Sequence, residues 1–383
     1  MTDESGRGAT SLGELARLFL RLGVVGFGGP AAHIALMEDE IVRRRGWLTR
    51  EAFLDYVGAT NLIPGPNSTE LAITIGRERA GWPGLIVAGV SFILPAAIIV
   101  GVIAWAYTRF GQLPAIVAVM AGVKPVVIAI IVQALWRLTK SAVKTHALAV
   151  LGVAASVAAA LGANELLVLL VAAVAAAATM LGERSQRTAA AVPVSALKPA
   201  AALGMAAAAP AIAAPWPLFA IFLKIGSVLF GSGYVLLAFL RADFVHRLGW
   251  LTEQQLLDAV AVGQVTPGPV FTTATFIGYV LAGVPGAAAA TVGIFLPAFV
   301  FVAVSGPLIP RIRQSRLAGA ALDGVNVASL ALMATVTWQL GRATVVDIPS
   351  LVVASASAIL LFTTRINIVW LILGGAAIGV ALR

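Results

Sequence analysis

Long apolar runs alternate along the chain with short loops that hold most of its charge. Five such runs fill the first half: Leu15–Met37, Pro83–Tyr107, Pro114–Trp136, His146–Leu161 and Glu165–Leu181. Runs of this kind predict helices that cross the roughly 30 Å hydrocarbon core of a bilayer. The expected fold is an all-α polytopic membrane protein.

Between the first two runs the pattern changes. Thr49 reads as an N-cap opening a short helix that ends at Pro64-Gly65-Pro66, and a second short helix runs from there to about Arg79. Proline lacks the amide and glycine relaxes the backbone, so this tripeptide cannot continue a helix. Each piece has about 13 residues, or about 20 Å of helix, too short to cross alone. The pair is expected to form a re-entrant hairpin, giving five crossings and one broken-helix hairpin. A backbone break inside a bilayer survives only where protein buries it or where it lines a wet cavity, which makes the break a candidate site.

The second half repeats the first. Asn61-Leu-Ile-Pro-Gly-Pro-Asn-Ser-Thr69 returns as Gln264-Val-Thr-Pro-Gly-Pro-Val-Phe-Thr272. Phe27-Gly-Gly29 is answered by Phe230-Gly-Ser232, Trp47-Leu-Thr49 by Trp250-Leu-Thr252, and Asp55 by Asp258, all at one constant offset. Beyond the break the offset falls by one and continues through Gly76 with Gly278, Leu94-Pro95 with Leu296-Pro297, and Trp136 with Trp338. Two homologous repeats follow, residues 14–182 and 217–383, preceded by a polar tail over 1–13 and joined by an Ala/Pro-rich linker over 183–216.

Charge orients the two repeats. Arg43, Arg44, Arg45, Arg50, Arg77 and Arg79 crowd the loops of the first copy, whereas the matching loops of the second hold only His246 and Arg247. Further on the bias reverses, with Arg311, Arg313 and Arg316 standing where the first copy has Arg109 alone. If basic loops stay cytoplasmic, the second repeat is inverted. Paired broken helices in inverted repeats are the architecture in which transporters hold substrate near the midplane and expose it alternately to each side. Counting each hairpin as a full crossing would instead make the repeats parallel, a version the arginine reversal opposes.

Composition narrows the function classes. The 383 residues are 60% hydrophobic and only 11% charged, and the net charge of +9 lies in short loops and not along one soluble basic face, so no nucleic-acid partner is expected. The chain has no cysteine and three scattered histidines, which excludes thiolate metal sites and iron–sulfur clusters and speaks against a metal centre. With no cofactor fingerprint and no nucleophile–base pair, no cofactor and no enzymatic activity are expected. The first helix is expected to act as its own insertion signal.

Gly26-Phe-Gly-Gly-Pro30, Trp47-Leu-Thr49, the paired Pro-Gly-Pro breaks, Ala274-Thr-Phe-Ile-Gly-Tyr279 and Gly324-Val-Asn-Val327 resemble the chromate ion transporter family, in its long two-domain branch, over nearly the whole chain. The resemblance implies a multi-pass protein of the bacterial inner membrane that exports chromate, confers chromate resistance and is driven by an ion gradient. Sulfate is the rival cargo, and an anion channel the nearer alternative mechanism. The expected partners are the transported oxyanion and the lipid bilayer, with a homodimer left open.

A tetrahedral dianion needs several hydrogen-bond donors and compensating positive charge, because its unpaired burial is costly. The helices that start after Pro66 and Pro269 point free amides and a positive dipole end at each break. Ser68, Thr69, Thr272 and Thr273 add hydroxyls, with Asn67 and Thr266 in the same two phrases, while Asn61 and Gln264 either donate amide N–H groups or cap carbonyls. Among cations, Arg21 and Lys224 occupy matching places in the first helix of each copy, facing the anion or snorkelling to an interface. Lys124 lies mid-span between Gly122 and Pro125 and is the first choice of anion anchor, with neutral Asn326 as its counterpart. Gly28, Gly29 and Ser232 either expose backbone or hydroxyl to the ion or serve helix packing. Glu70 is a candidate for proton coupling or a simple partner of the positive helix end, and His33 is a second titratable candidate. Asp55 and Asp258 read as polar-face residues, and Thr252 with Gln255 as a capping box.

Overall fold

The computed structural model describes residues 10–27, 29–185, 214–230, 235–305, 315–364 and 366–382. Every regular element among them is helical. The N-terminal half contributes α1 (Leu12–Val25), α2 (Gly29–Glu38), a π-turn over Asp39–Arg44, α3 (Arg50–Thr60), α4 (Asn67–Phe110), α5 (Pro114–Ala142), α6 (His146–Ala160) and α7 (Glu165–Ser185). The C-terminal half follows with α8 (Pro215–Val228), α9 (Leu236–Leu240), a π-turn over Arg241–Arg247, α10 (Glu253–Val265), a 3₁₀ turn over Val270–Thr272, α11 (Thr273–Ser305), α12 (Arg316–Thr344), α13 (Ile348–Thr363) and α14 (Ile368–Ala381). Four of these helices, α4, α5, α11 with its 3₁₀ turn, and α12, are long and apolar enough to cross a membrane. Many of their large apolar side chains face outward, among them Ile98, Val102, Val292 and Val304. The chain is an all-α polytopic membrane protein. Most of the linker expected over 183–216 lies outside the described residues, as do Arg311 and Arg313.

One expected span is two helices. The run Leu15–Met37 breaks after Val25, where the amide of Gly26 closes α1 on the carbonyl of Leu22 and the chain restarts at Gly29 with φ of 77°. Glycines at this point satisfy the left-handed backbone at no steric cost, and a Cβ on Gly26 would meet the His33 ring at 2.6 Å. The hydrophobic pattern ran straight through the break because its residues are nearly all apolar.

The hairpins end in sharp reversals. Within α4, Ala80 and Gly81 leave helical geometry (φ −146° and 61°), and within α11 Ala282 and Gly283 do so almost identically (φ −147° and 60°). After each reversal the chain packs back on itself so closely that a Cβ on Gly84 or Gly286 would strike the carbonyl of Gly76 or Gly278. The expected caps form: Thr49 Oγ1 accepts from the Ala52 amide, and Thr252 with Gln255 makes both bonds of a capping box.

Each half completes itself on the other. Helix α5 packs against α13 and α14, while its counterpart α12 packs against α6 and α7. The Gln133 side chain donates to the carbonyl of Leu361, and Thr335 Oγ1, which donates to Ala331 in its own helix at 3.0 Å, lies 3.4 Å from the carbonyl of Ser156. Close approach of backbones replaces bulky interdigitation, as expected where lipid removes the hydrophobic drive between helices. Gly122 lies against Gly375 and Gly379, and Gly324 against Ala172 and Ala176. Helices α4 and α11 pack on each other at the centre, flanked by α1 and α8.

Candidate functional site

The helix breaks meet. The amide of Gly65 donates to the carbonyl of Leu229 at 2.8 Å, and the amide of Gly268 donates to the carbonyl of Gly26 at 2.8 Å. Gly26 and Leu229 hold equivalent places after α1 and α8, so each Pro-Gly-Pro turn is tied to the interrupted first helix of the other half. Both turn glycines have positive φ, 139° at Gly65 and 88° at Gly268, which explains the residue type.

His33 joins the two breaks. Its Nε2 lies 2.9 Å from the Gly26 carbonyl and its Nδ1 lies 3.2 Å from Ser68 Oγ. A carbonyl only accepts, so in the neutral ring Nε2 carries the proton and Nδ1 accepts from the Ser68 hydroxyl. The ring is fully enclosed and stands edge-on to Phe92. The chain Ser68, His33, Gly26, Gly268 therefore runs from the first break to the second.

No side chain caps the N-terminus of α4 or of the 3₁₀ turn that leads into α11. Both leave first-turn amides and a positive dipole end inside the protein. Around the first break the donors are unevenly committed. Asn67 Nδ2 donates to Asn61 Oδ1 at 2.5 Å, and Ser68 is engaged with His33. Thr69 Oγ1 is buried with no hydrogen-bond partner, and so are both carboxyl oxygens of Glu70. The Glu70 side chain lies under the turn, filling the space that a Cβ on Gly65 would need. Unpartnered buried polar groups are costly, which makes Thr69 and Glu70 candidates for contact with a ligand or a proton.

Around the second break the hydroxyls are spent. Thr266 donates to Val262, Thr272 to Pro269 and Thr273 to Val270, at 2.8–2.9 Å. Gln264 is buried beside Leu237 and Val270. Asn61 and Asn326 line one cavity of about 280 Å³, together with Lys144, Asp323 and Ser329, whose Oγ is buried and unpartnered.

Lys124 is held by the other half. Its Nζ lies 3.0 Å from Asp258 Oδ1 and 2.7 Å from Gln254 Oε1, while Asp258 Oδ2 accepts from the Tyr107 hydroxyl at 2.8 Å. Both side chains of the pair are largely enclosed, at 14% and 8% exposure, and they line a cavity of about 530 Å³ with Thr108, Gln112, Thr252 and Gln255. The polar-face reading of Asp258 does not hold. Its partner comes from α5, distant in sequence, and the one available signal was that a mid-span lysine needs a counter-charge. Nothing in the local sequence marks Tyr107 or Gln254, whose partners likewise lie in the opposite half.

Arg21 and Lys224 take a different position. Arg21 faces Glu40 at 3.3 Å, which also pairs with Arg44, and Lys224 faces Asp243 at 2.5 Å, which also pairs with Arg247. These matching cation–carboxylate–cation clusters tie the first helix of each half to its π-turn. Gly29 opens α2 beside the break, and Gly28 and Ser232 lie outside the described residues.

The model of the family described as chromate transporter matches the chain twice, over residues 13–180 and 216–380. The chain is similar to the chromate transport protein of Cupriavidus metallidurans, 33% identical over 96% of this chain and 92% of that one. It is also similar to the probable chromate transport protein of Synechococcus elongatus, 30% identical over 90% and 88% of the two chains. The chromate transport protein of Pseudomonas aeruginosa is 30% identical over 96% of this chain and 91% of its own. No solved structure matches.

Proposed function

This chain belongs to the chromate transporter family, and from that premise we propose that it carries chromate out of the cytoplasm across a bacterial inner membrane. The mechanism is secondary active transport by alternating access between two inverted repeats, and its outcome is chromate resistance. The observation that carries this reading is the reciprocal pair of bonds, Gly65 to Leu229 and Gly268 to Gly26. Through them two uncapped helix starts come to one buried centre, the arrangement in which a dianion finds donors without a bound counterion.

In this reading the first break supplies most of the donors: the first-turn amides of α4, the Thr69 hydroxyl and the amides of Asn61 and Asn67. Lys124, about 20 Å along α5 from the Leu138 that lines the Asn61 cavity, supplies positive charge on the way to the break once the anion draws it from Asp258. Glu70 carries the coupled proton. The reciprocal packing of α5 and α12 on the opposite halves fits a two-fold relation between the repeats, and the reversed arginine bias along the sequence favours an axis in the membrane plane.

The donor set reads charge and tetrahedral shape, which sulfate shares, so sulfate is the competing cargo. Labelled chromate and sulfate competing for uptake into energised inverted vesicles separate the two. A channel is separated by the uncoupler, which abolishes accumulation by a transporter and leaves channel flux running down the anion gradient.

A further inference from the structure

We propose that Asp258 is a gate carboxylate, which holds Lys124 when no anion is bound and is displaced from it by the transported dianion, releasing α10 from α5. The proposal rests on the reading of Lys124 as the anion's cation.

Its first support is chemical. Asp258 presents to Lys124 what the cargo would present, an anionic oxygen at 3.0 Å, and it is fixed there by the Tyr107 hydroxyl. At equal distance a dianion attracts one ammonium more strongly than a single carboxylate does, because the Coulomb term scales with charge. The pair lines a polar cavity of about 530 Å³, so an incoming anion meets it from water. Gln254 Oε1, the second group on the ammonium, is a neutral acceptor that can stay or leave without a charge penalty.

Its second support is a difference between the two hairpins. In α10 every residue from Leu256 to Gln264 is buried, and the helix packs on α5. In the equivalent α3, Leu54, Asp55 and Asn61 are exposed, and the helix packs on α2 and α4 with no comparable interface to α12, the counterpart of α5. One half thus has its hairpin docked through a cross-half ion pair. The other has Asn326 at the lysine position and its hairpin undocked, beside the cavity that Asn61 and Asn326 share. Alternating access requires two such arrangements, and the Lys124–Asp258 pair is the contact that distinguishes them.

The chain has no cysteine, so a single engineered thiol reports access cleanly. In the full-length protein in proteoliposomes, Ala259→Cys on the buried face of α10 should react slowly with a membrane-impermeant maleimide. Saturating chromate should speed that reaction by about tenfold or more. Asp258→Asn should make it fast without chromate and lower the KM for chromate while lowering kcat. Tyr107→Phe, which removes one hydroxyl, should act in the same direction by a smaller factor, roughly tenfold or less. Labelling that ignores both chromate and Asp258→Asn in protein that still transports would overturn the gate. The double variant Lys124→Gln/Asp258→Asn separates this failure from that of the parent reading. If it transports like the wild type, Lys124 is not the anchor. If Lys124→Gln alone abolishes transport while Asp258→Asn changes neither KM nor labelling, the anchor stands and the gate falls.

Discussion

The amide of Gly65 reaches the carbonyl of Leu229 across 2.8 Å, bonding the broken hairpin of one half to the broken first helix of the other. Its mirror, Gly268 to Gly26, has the same length. Each turn settles its glycine amide on the broken first helix of the opposite half, so irregular backbone is satisfied by other irregular backbone inside the protein.

Gly65→Ala tests the turn. The residue has φ of 139°, and its Cβ would fall on the Glu70 carboxyl. We expect a loss of about 1–3 kcal/mol in stability, read as a lower midpoint of thermal aggregation in detergent, together with loss of transport. Unchanged stability and flux would mean that the turn is not held as described.

Thr69→Val removes a buried hydroxyl that has no partner in the resting protein. Because an unsatisfied polar group is deleted without changing shape, stability should hold or rise slightly. The hydroxyl is lost only to the bound anion, so the KM for chromate should rise by roughly tenfold with kcat little changed. A concentration dependence identical to wild type removes Thr69 from the site.

Glu70→Gln keeps the shape under Gly65 and removes the exchangeable proton. Exchange of labelled for unlabelled chromate should continue, while accumulation against a gradient should be lost. Uncoupler-sensitive accumulation at the wild-type level in this variant assigns the coupling elsewhere.

Much of the fold was legible in the sequence because a bilayer writes its thickness into apolar runs and a duplication writes itself twice. The helices of α5, α6 and α7 begin where the pattern placed them, and the caps at Thr49 and Thr252 form. The break at Gly26 was not legible, since the same small apolar residues serve a packed helix or a bend, and only the Gly268 amide and His33 decide between them. The candidate site was half legible. The Pro-Gly-Pro turns and Lys124 stood out as costly features in a membrane, but Asp258 and Tyr107 gain their meaning from partners in the other half. No local spacing encodes the way the halves interlock.

Arg21 and Lys124 should separate in function. Arg21 is well exposed, at 59%, and faces Glu40 beside the π-turn, so Arg21→Ala should cost under about 1 kcal/mol of stability and leave the KM for chromate within a factor of about two. Lys124→Ala should abolish transport in protein that still elutes as a single species from a sizing column. The reverse outcome would relocate the anion to the Arg21 end of the first helix.

The most direct test of the account is uptake of labelled chromate into inverted membrane vesicles, energised or uncoupled, with sulfate in excess as competitor. Accumulation that needs energy, survives excess sulfate and disappears with Lys124→Ala is the predicted result. Uptake that is equal in uncoupled vesicles, or that sulfate abolishes, would contradict the assignment of this chain as a chromate exporter.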